Sequence, residues 1–339
     1  MVNKKVFIIA EIGPNHNGSE ALALKMVRKL KFSGVDSIKF QLGNPYKVYS
    51  KNAFKADYQK NNDPYLNIVD MAKSYQLTHQ SHLKIAKFCK KNNIIYSCTA
   101  FDLESLKFLD KIIKIPFFKI ASGEVFSLDM LDYISKQNKP ILLSTGMTNF
   151  AQIKKIIKIL NKKKKKKITI MHCVSAYPAK KKNLNLNIID EIKKRFKNNV
   201  GYSDHSLGND ACLIAVSKGA KVIEKHVTIS KKLIGPDHKS SATINQFKKL
   251  IKDIRKYEEM LGSNKKNFQK DELHIHNVAR KSIATARKIF KNKKITLNDL
   301  CFRRPGTGIS PFKINDILGK KPKFNLDHNI LIKKSFLKS

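Results

Sequence analysis

Short apolar runs recur along the first two thirds of this chain, and each ends in a residue capable of chemistry. The eight runs are Val6–Glu11, Ser37–Gln41, Ile94–Thr99, Phe117–Ser122, Ile141–Ser144, Ile168–His172, Val200–His205 and Lys221–His226. Helical stretches separate them, and because neighbouring parallel strands need crossover helices, the pattern predicts alternating strands and helices. Eight such units predict an α/β fold, the closed (β/α)₈ barrel, whose strand C-terminal ends meet at one mouth, where active sites are found. The pattern therefore predicts an enzyme.

Alternation within the strands predicts which side chains point into the barrel, since residues two apart share a face. In the second run Ile38 and Phe40 face the helices, which points Lys39 and Gln41 inward, and the same parity points Lys119 inward. Buried lysines are costly without anions, so two interpretations stay open. Either nearby carboxylates neutralise both lysines, or the lysines bind a phosphate and a carboxylate of one ligand. We prefer the second.

His205 and His226 end the seventh and eighth runs, which are neighbours in a closed barrel. A single histidine at a strand end is most often a hydrogen-bonded core residue, but two at one mouth raise the case for a metal site. Two nitrogen ligands leave positions for water and substrate oxygens, as suits an octahedral Mn²⁺ or Mg²⁺ acting as a Lewis acid. A structural zinc site would need four protein ligands. His172, which ends the sixth run, is a third candidate, for which we favour core packing.

Glu11, Glu124 and Asp237 lie at or just beyond strand ends, close to glycines that let backbone approach a ligand. Any one of these carboxylates alone would be interpreted as a helix cap or an ion-pair partner. Together with two lysines and two histidines at one rim, they predict hydroxyl recognition and proton transfer on a polar substrate.

The formal net charge of +42 raises the question of a nucleic-acid partner. The lysines lie mostly at predicted solvent-facing helix positions and in turns, as in Lys154, Lys155, Lys158 and Lys162–Lys167, and no stretch alternates basic and aromatic residues. We therefore expect no nucleic-acid partner. The positive field would instead attract small anionic substrates.

The 5 cysteines are widely spaced and include no Cys-x-x-Cys pair, which indicates neither a disulfide framework nor a zinc site. The sequence also indicates neither a cleavable leader nor an apolar run of membrane-spanning length. We expect a soluble, cytoplasmic protein without membrane contact.

The length of 339 residues suits a barrel of roughly 250 residues with a small appendage. We expect the barrel to span residues 1–262, a polar linker residues 263–279 and a small β-rich domain residues 280–339. Within the barrel, the connection Gly43–Gln76 after the second strand is unusually long. Connections of that length are usually lids or binding loops.

Motifs along the whole chain, in order, resemble the successive signatures of sialic acid synthases. They are Ala10-Glu11-Ile12-Gly13, Asn15-His16-Asn17-Gly18, Ile38-Lys39-Phe40-Gln41, Phe118-Lys119-Ile120-Ala121-Ser122-Gly123-Glu124, Leu143-Ser144-Thr145-Gly146-Met147, His172-Cys173-Val174-Ser175-Ala176-Tyr177-Pro178, Gly201-Tyr202-Ser203-Asp204-His205, Glu224-Lys225-His226 and Gly235-Pro236-Asp237-His238. The C-terminal Arg303-Arg304-Pro305-Gly306-Thr307-Gly308 is similar to the antifreeze-like (SAF) domain of that family.

The resemblance implies that phosphoenolpyruvate condenses with an open-chain N-acetylated amino sugar, N-acetylmannosamine before others, and with water. The products would be a nine-carbon 2-keto acid, N-acetylneuraminate, and phosphate released by C–O cleavage. A divalent metal, Mn²⁺ or Mg²⁺, would be held by His205 and His226. Phosphoenolpyruvate contacts would be Lys39, Thr99, Lys119, Ser122, Ser144 and Ser203, and positions near the sugar would be Glu11, Gln41, Glu124, Tyr177 and Asp237.

The resemblance also assigns catalytic roles. Glu11 and Glu124 are both candidates for proton transfer. Arg304 is similar to an arginine that family members insert into the partner subunit's barrel in a domain-exchanged homodimer, which would give the small domain a catalytic purpose.

Two positions depart from the commoner family pattern. Lys225 stands where an arginine or similar cation usually precedes the second histidine, and Ala100 follows Thr99 where proline is frequent. Three alternatives remain: a diacetamido acceptor giving legionaminate or pseudaminate, a nucleic-acid-binding protein, and an ice-binding or structural role for residues 280–339.

Overall fold

The structure is a computed structural model that describes residues 5–162 and 166–338. The chain divides into two compact units, residues 1–262 and residues 263–339. Part of the lysine run Lys162–Lys167, namely residues 163–165, lies outside the described residues.

Parallel strands of the first unit close into a barrel. They are β1 (Phe7–Glu11), β2 (Ser37–Leu42), β3 (Ile95–Ala100), β4 (Phe118–Ile120), β5 (Ile141–Ser144), β6 (Ile168–Cys173), β7 (Asn199–Asp204) and β8 (Val222–Thr228). Each pairs with the next along the chain, and β1 also pairs with β8, which closes the sheet. The predicted (β/α)₈ barrel is therefore confirmed, and a short β9 (Ala242–Thr243) pairs in parallel with the end of β8.

Helices connect the barrel strands and follow the last of them. They are α1 (Glu20–Leu30), α2 (Pro45–Val48), α3 (Asp57–Asn62), α4 (Ile68–Ser74), α5 (His79–Lys91), α6 (Leu103–Phe108), α7 (Leu128–Lys136), α8 (Phe150–Leu160), α9 (Ile188–Phe196), α10 (Asp210–Ser217) and α11 (Ile244–Leu261). The side chains of Ser19, Thr78, Asn149 and Thr243 accept hydrogen bonds from the first turns of α1, α5, α8 and α11, as N-cap residues do. None of the helices in the described ranges is long and apolar enough to cross a membrane.

The barrel interior has an apolar layer beneath a polar one. The apolar layer consists of Ile9, Phe117, Leu142, Met171 and Val222, with Phe7 packed against it. The residues two positions further along the same strands are Glu11, Lys119, Ser144, Cys173 and Glu224. Because residues two apart share a face, the polar side chains stand directly above the apolar plug, toward the C-terminal ends of the strands. The plug thus puts the chemistry at one end of the barrel.

Strand register sets the chemical groups at a common level. Glu11 in β1 is opposite Lys39 in β2 and His226 in β8. Thr99 in β3 is opposite Gln41 on one side and Lys119 on the other. Residues far apart in sequence therefore meet in one layer.

The second unit has its own small core, formed by Ile283, Ile289, Ile295, Ile317, Leu326, Ile332 and Leu337. Its regular elements include α12 (Leu273–Ala279) and the antiparallel strands β10 (Ser282–Thr285) and β11 (Leu300–Arg303). Residues 263–279, expected as a linker, group with this unit and contain α12. The polar composition of that segment concealed a helix whose side chains remain largely exposed.

Candidate active site

A cavity of about 360 Å³ lies at the C-terminal ends of the barrel strands. Strands β2 to β8 each contribute to its lining, together with the long connection after β2. Predicted site residues that line it are Lys39, Gln41, Thr99, Lys119, Ser122, Ser144, Tyr177, Ser203, His205, His226 and Asp237. The barrel thus brings together both predicted lysines, both predicted histidines and the predicted hydroxyls.

Lys39 and Lys119 flank one buried carboxylate, that of Glu224. Glu224 Oε1 lies 3.8 Å from Lys39 Nζ and 3.5 Å from Lys119 Nζ. Lys39 also forms an ion pair with Glu11. In the protein without a ligand, carboxylates therefore contact both lysines, which was the first of the two interpretations left open above. An anionic ligand could bind the same ammonium groups in competition with these carboxylates.

Glu224 is a site residue that the sequence reasoning did not select. It shares the inward face of β8 with His226, two residues further on, so strand parity could have found it. Although burial raises its pKa, the Lys119 and Lys39 ammonium groups lower it overall, and the carboxylate is ionised. Its Oε2 has no hydrogen-bond partner among the described residues.

The two lysines differ in their surroundings. Burial lowers the pKa of Lys119, whereas Glu11 and Glu224 outweigh burial and raise the pKa of Lys39. Lys119 Nζ donates to Ser144 Oγ at 2.7 Å, and Lys39 Nζ donates to Thr99 Oγ1 at 3.1 Å. Each ammonium is thereby aimed by a hydroxyl on the neighbouring strand.

Further hydroxyls complete this side of the cavity. Ser203 Oγ donates to Glu224 Oε1 at 3.1 Å. Ser122 Oγ accepts from the backbone N–H of Gly146 at 3.0 Å. A Cβ atom at Gly146 would lie 2.8 Å from Ser122 Oγ and 2.3 Å from Ser175 Oγ, so a glycine is required for this approach.

Glu11 lies beneath the cavity surface rather than on it. Gln41 Nε2 donates to Glu11 Oε1 and to the Gly13 carbonyl, both at 3.0 Å, and Lys39 contacts the other carboxylate oxygen. Burial raises the pKa of Glu11 to about 8, against a smaller opposing effect of Lys39. Glu11 and Glu224 thus form a pair of carboxyl groups whose environments separate their proton affinities, an arrangement typical of acid–base sites.

His205 and His226 lie side by side, with ring centroids 5.5 Å apart. Nδ1–H of His205 donates to the Val174 carbonyl at 2.8 Å, so that Nε2 carries the lone pair in the neutral ring. Burial lowers the pKa of His205, but Cys173 and the Val174 carbonyl outweigh burial and raise it overall. Burial lowers the pKa of His226 well below its usual value, so its ring is neutral. Asp237 Oδ2 lies 3.4 Å from His226 Nδ1, and burial raises the pKa of Asp237 to about 7.

These donors fit a divalent cation completed by substrate and water. His226 Nδ1 is buried without a hydrogen-bond partner in the part of the chain that the structure describes. No group of three His, Cys, Asp or Glu side chains within residues 5–162 and 166–338 is arranged to hold a metal alone. A site with two protein nitrogens and open positions matches a catalytic rather than a structural metal.

Aromatic rings cover the histidine side of the cavity. Tyr177 packs on His205 with ring centroids 4.2 Å apart, and Tyr58 from α3 stacks on Tyr177 at 5.0 Å with an interplanar angle of 26°. Tyr49 and Tyr75, from the same long connection as Tyr58, also line the cavity. The connection Gly43–Gln76 therefore forms a wall of the site, which agrees with its expected role as a binding loop.

The chain matches the model of the NeuB family over residues 26–266. The protein belongs to the NeuB family. It is 38% identical over 335 residues to the N,N'-diacetyllegionaminic acid synthase of Campylobacter jejuni, covering 97% of this chain and 99% of that protein. The same-named synthase of Legionella pneumophila is 36% identical, covering 94% of this chain and 91% of that protein.

A solved structure agrees with this membership. The crystal structure of the N-acetylneuraminic acid synthetase of Leptospira borgpetersenii in complex with citrate matches with a TM-score of 0.73 at 32% identity, covering 80% of this chain and 90% of that chain. The resemblance to sialic acid synthases noted from the motifs is therefore confirmed at the level of the family.

In this NeuB family member, two candidates of the barrel unit, Glu124 and His172, do not line the cavity. Glu124, which follows β4, is half-buried, and its carboxylate accepts a hydrogen bond from Ser127 Oγ at 2.6 Å. Arg304, in the second unit, is exposed, and its Nε donates to the Ala279 carbonyl at 2.9 Å. His172 bonds to the Leu184 carbonyl through Nε2 at 2.7 Å, so the core-packing interpretation applies to it.

Proposed function

We propose that the protein condenses phosphoenolpyruvate with an open-chain N-acetylated amino sugar and water, giving a nine-carbon 2-keto sugar acid and phosphate. The observation that carries the proposal is the pair Lys39 and Lys119, buried at the strand ends on either side of Glu224. A phosphate and a carboxylate on one small ligand match two ammonium groups flanked by hydroxyls. A high net positive charge would draw such an anion to the mouth.

The chemical steps assign roles to these side chains. C3 of phosphoenolpyruvate bonds to the aldehyde carbon of the sugar, and the aldehyde oxygen takes up a proton. Water adds to C2, and the C2–O bond of the C2–O–P bridge then breaks, so that phosphate leaves with the bridging oxygen and the oxygen of water becomes the ketone. Of the two protons of water, one replaces the proton given to the aldehyde oxygen and the other goes to the leaving phosphate. Lys39 and Lys119 balance the charge of the departing phosphate. Glu11 shares its proton with Lys39, which delivers it at the cavity surface.

His205 and His226 would hold Mn²⁺ or Mg²⁺, which when bound supplies Lewis acidity at the aldehyde oxygen. The unpartnered Nδ1 of His226 and the fixed tautomer of His205 support this assignment. Tyr177, Gln41 and Asp237 would contact the sugar, as the motifs imply.

For the acceptor, we favour a diacetamido sugar that yields a legionaminate-type product over N-acetylmannosamine, which the motifs alone put first. The names of the Campylobacter and Legionella relatives support this choice. The wall of the site supports it as well, because Met71, Ala72, Tyr58 and Tyr75 present apolar and aromatic surface to the cavity. Acetamido methyl groups and a deoxy carbon bind such surface better than hydroxyls do.

Three further features belong to the same proposal. The second unit would be the antifreeze-like domain, as its Arg303–Gly308 motif implies. Arg304 would act in the barrel of a partner subunit within a domain-exchanged homodimer. The enzyme would work in the cytoplasm, where phosphoenolpyruvate is made.

A substrate panel with phosphate readout tests the proposal. Purified protein is given phosphoenolpyruvate, Mn²⁺ or Mg²⁺, and either N-acetylmannosamine or a 2,4-diacetamido-trideoxy hexose of manno or altro configuration. We expect phosphate release only when the metal and an amino sugar are both present, and fastest with the diacetamido sugar. If none of the sugars in the panel supported phosphate release, the proposed function would be overturned. A preference for N-acetylmannosamine would overturn the choice of acceptor.

A further inference from the structure

The connection between β2 and α5 contains a buried polar cluster outside the reacting centre, formed by Lys55, Asp63 and Tyr75. Lys55 and Asp63 are 4% and 7% exposed, although they lie in a connection whose other charged residues face solvent. Burying an ion pair away from water gains little net stability, since desolvation offsets the attraction. Its presence in a wall of the active site therefore calls for an explanation other than stability.

Lys55 uses its ammonium group to join three points of the chain. Its Nζ donates to Asp63 Oδ1 at 2.9 Å, to the Asp63 carbonyl at 3.2 Å and to the Tyr65 carbonyl at 2.6 Å. An ammonium has three donors, so its hydrogen-bonding capacity is filled. Lys55 precedes helix α3 and Asp63 follows it directly, so their contact closes the chain around that helix.

Asp63 extends the cluster to the cavity wall. Its Oδ1 also accepts from the backbone N–H of Tyr65 at 3.0 Å, and its Oδ2 accepts from Tyr75 Oη at 2.6 Å. Tyr75 lines the cavity directly. The bond to Asp63 thus fixes how the ring of Tyr75 faces a bound ligand.

The helices of this connection are too short to hold their shape alone. α2, α3 and α4 contain 4, 6 and 7 residues, and isolated helices shorter than about 12 residues are unstable in water. Helix α3 nevertheless carries Tyr58, which stacks on Tyr177 beside His205. The Lys55–Asp63 pair brackets α3 and so determines where Tyr58 sits.

We propose that Lys55, Asp63 and Tyr75 are positioning residues that set the acceptor-sugar selectivity of this site by holding Tyr58 and Tyr75 in place. The inference rests on the proposed function. We expect the cluster to affect binding of the sugar and not of phosphoenolpyruvate. The two lysines that would bind phosphoenolpyruvate lie on β2 and β4, whereas the cluster supports the cavity wall formed by the connection between β2 and α5.

Tyr75→Phe is the sharpest test, since it keeps the ring and removes only the bond to Asp63. We expect KM for the preferred acceptor sugar to rise about tenfold, as for a lost hydrogen bond to a charged group, while KM for phosphoenolpyruvate stays unchanged. The ratio of kcat/KM between the diacetamido sugar and N-acetylmannosamine should fall by a similar factor. Tyr65→Phe is the matched control, because it removes only an exposed hydroxyl. Tyr65 joins the cluster through its backbone N–H and carbonyl and through its ring, which packs edge-on against Tyr75 with centroids 6.2 Å apart, and the substitution keeps all three.

A second pair of variants separates positioning from folding. Asp63→Asn removes the charge and should reproduce the selectivity loss, with faster amide hydrogen exchange confined to residues 57–75. Lys55→Arg keeps the cation and should retain most of the selectivity. Given an active wild type, two outcomes would overturn the inference. One is unchanged selectivity in folded Tyr75→Phe and Asp63→Asn, and the other is an equal change in KM for the acceptor sugar and for phosphoenolpyruvate. A wild type that releases no phosphate with any sugar would instead overturn the proposed function, and the inference with it.

Discussion

On the β2 to β4 side of the cavity, Lys39 and Lys119 lie 3.8 and 3.5 Å from Glu224, whereas on the β7 to β8 side His205 and His226 present nitrogen atoms with ring centroids 5.5 Å apart. The lysine side buries full charges, because two ammonium groups face the ionised carboxylate of Glu224, beside Glu11, whose pKa burial raises to about 8. The histidine side buries a neutral ring at His226, because burial lowers its pKa.

This difference separates two tasks within one small space. Paired charges suit an anionic ligand, which can take over the ammonium groups from Glu224 without leaving them unpaired. A neutral nitrogen donor suits a cation, since a protonated histidine cannot act as a ligand. In the proposed function, the lysine side would bind the phosphate and the histidine side would hold the metal.

Loss of one lysine should produce the largest effect. Lys119→Met removes an ammonium that would bind the phosphate in the proposed function, and it leaves Lys39 as the remaining lysine beside Glu224. We expect kcat/KM for phosphoenolpyruvate to fall about 10³-fold, as when an oxyanion donor is lost. Phosphate release at varied phosphoenolpyruvate measures it. Lys158→Met, at an exposed position on α8, is the control, and equal activity of the two variants would contradict the role of Lys119.

Loss of one histidine should affect the metal first. His226→Gln keeps a polar side chain but removes the imidazole, and we expect Mn²⁺ affinity to fall about 100-fold. Titration followed by electron paramagnetic resonance reads the affinity without catalysis. His172→Gln is a matched control, because that ring bonds to the Leu184 carbonyl. If both variants bound Mn²⁺ with the same affinity, His226 would not be a metal ligand, and the histidine side of the cavity would lose its proposed role.

The pH dependence should report the proton that Glu11 and Lys39 share. The pKa of Glu11 is raised to about 8, so the protonated form exists below that pH and is lost as pH rises through it. We expect kcat to decline above pH 8, approaching tenfold per pH unit. Glu11→Gln should lower the rate and abolish this limb of the profile. A limb that persists in Glu11→Gln would assign the proton to another group.

In the proposed domain-exchanged homodimer, Arg304 would enter the barrel of the partner subunit. Mixing Arg304→Ala with His205→Ala protein should restore activity, because a heterodimer has one barrel with intact histidines that receives an intact arginine. Random exchange predicts recovery of about a quarter of wild-type activity. Mass spectrometry verifies subunit exchange. If verified exchange restored nothing, Arg304 would act within its own chain, or not at all.

The fold and the inward-facing residues could be predicted because both depend on local periodicity. Alternation in β2 assigned Lys39 and Gln41 to the interior, and both line the cavity. Helix starts at Ser19, Thr78, Asn149 and Thr243 depend on equally local contacts, because each side chain accepts a hydrogen bond within the first turn of its own helix. The three helices between β2 and α5 could not be predicted, because so few residues show no clear periodicity.

What the sequence by itself determined was the barrel and the set of chemical groups at its strand ends, since period-two and helical patterns are written locally in the chain. What only the tertiary structure decided was which groups meet. Closure of β8 against β1 brings Glu224 between two lysines from distant strands. The cluster of Lys55, Asp63 and Tyr75 likewise depends on how a non-periodic segment folds back on itself. Long-range charge pairing has no local signature, because its energy exists only after the chain has removed those groups from water.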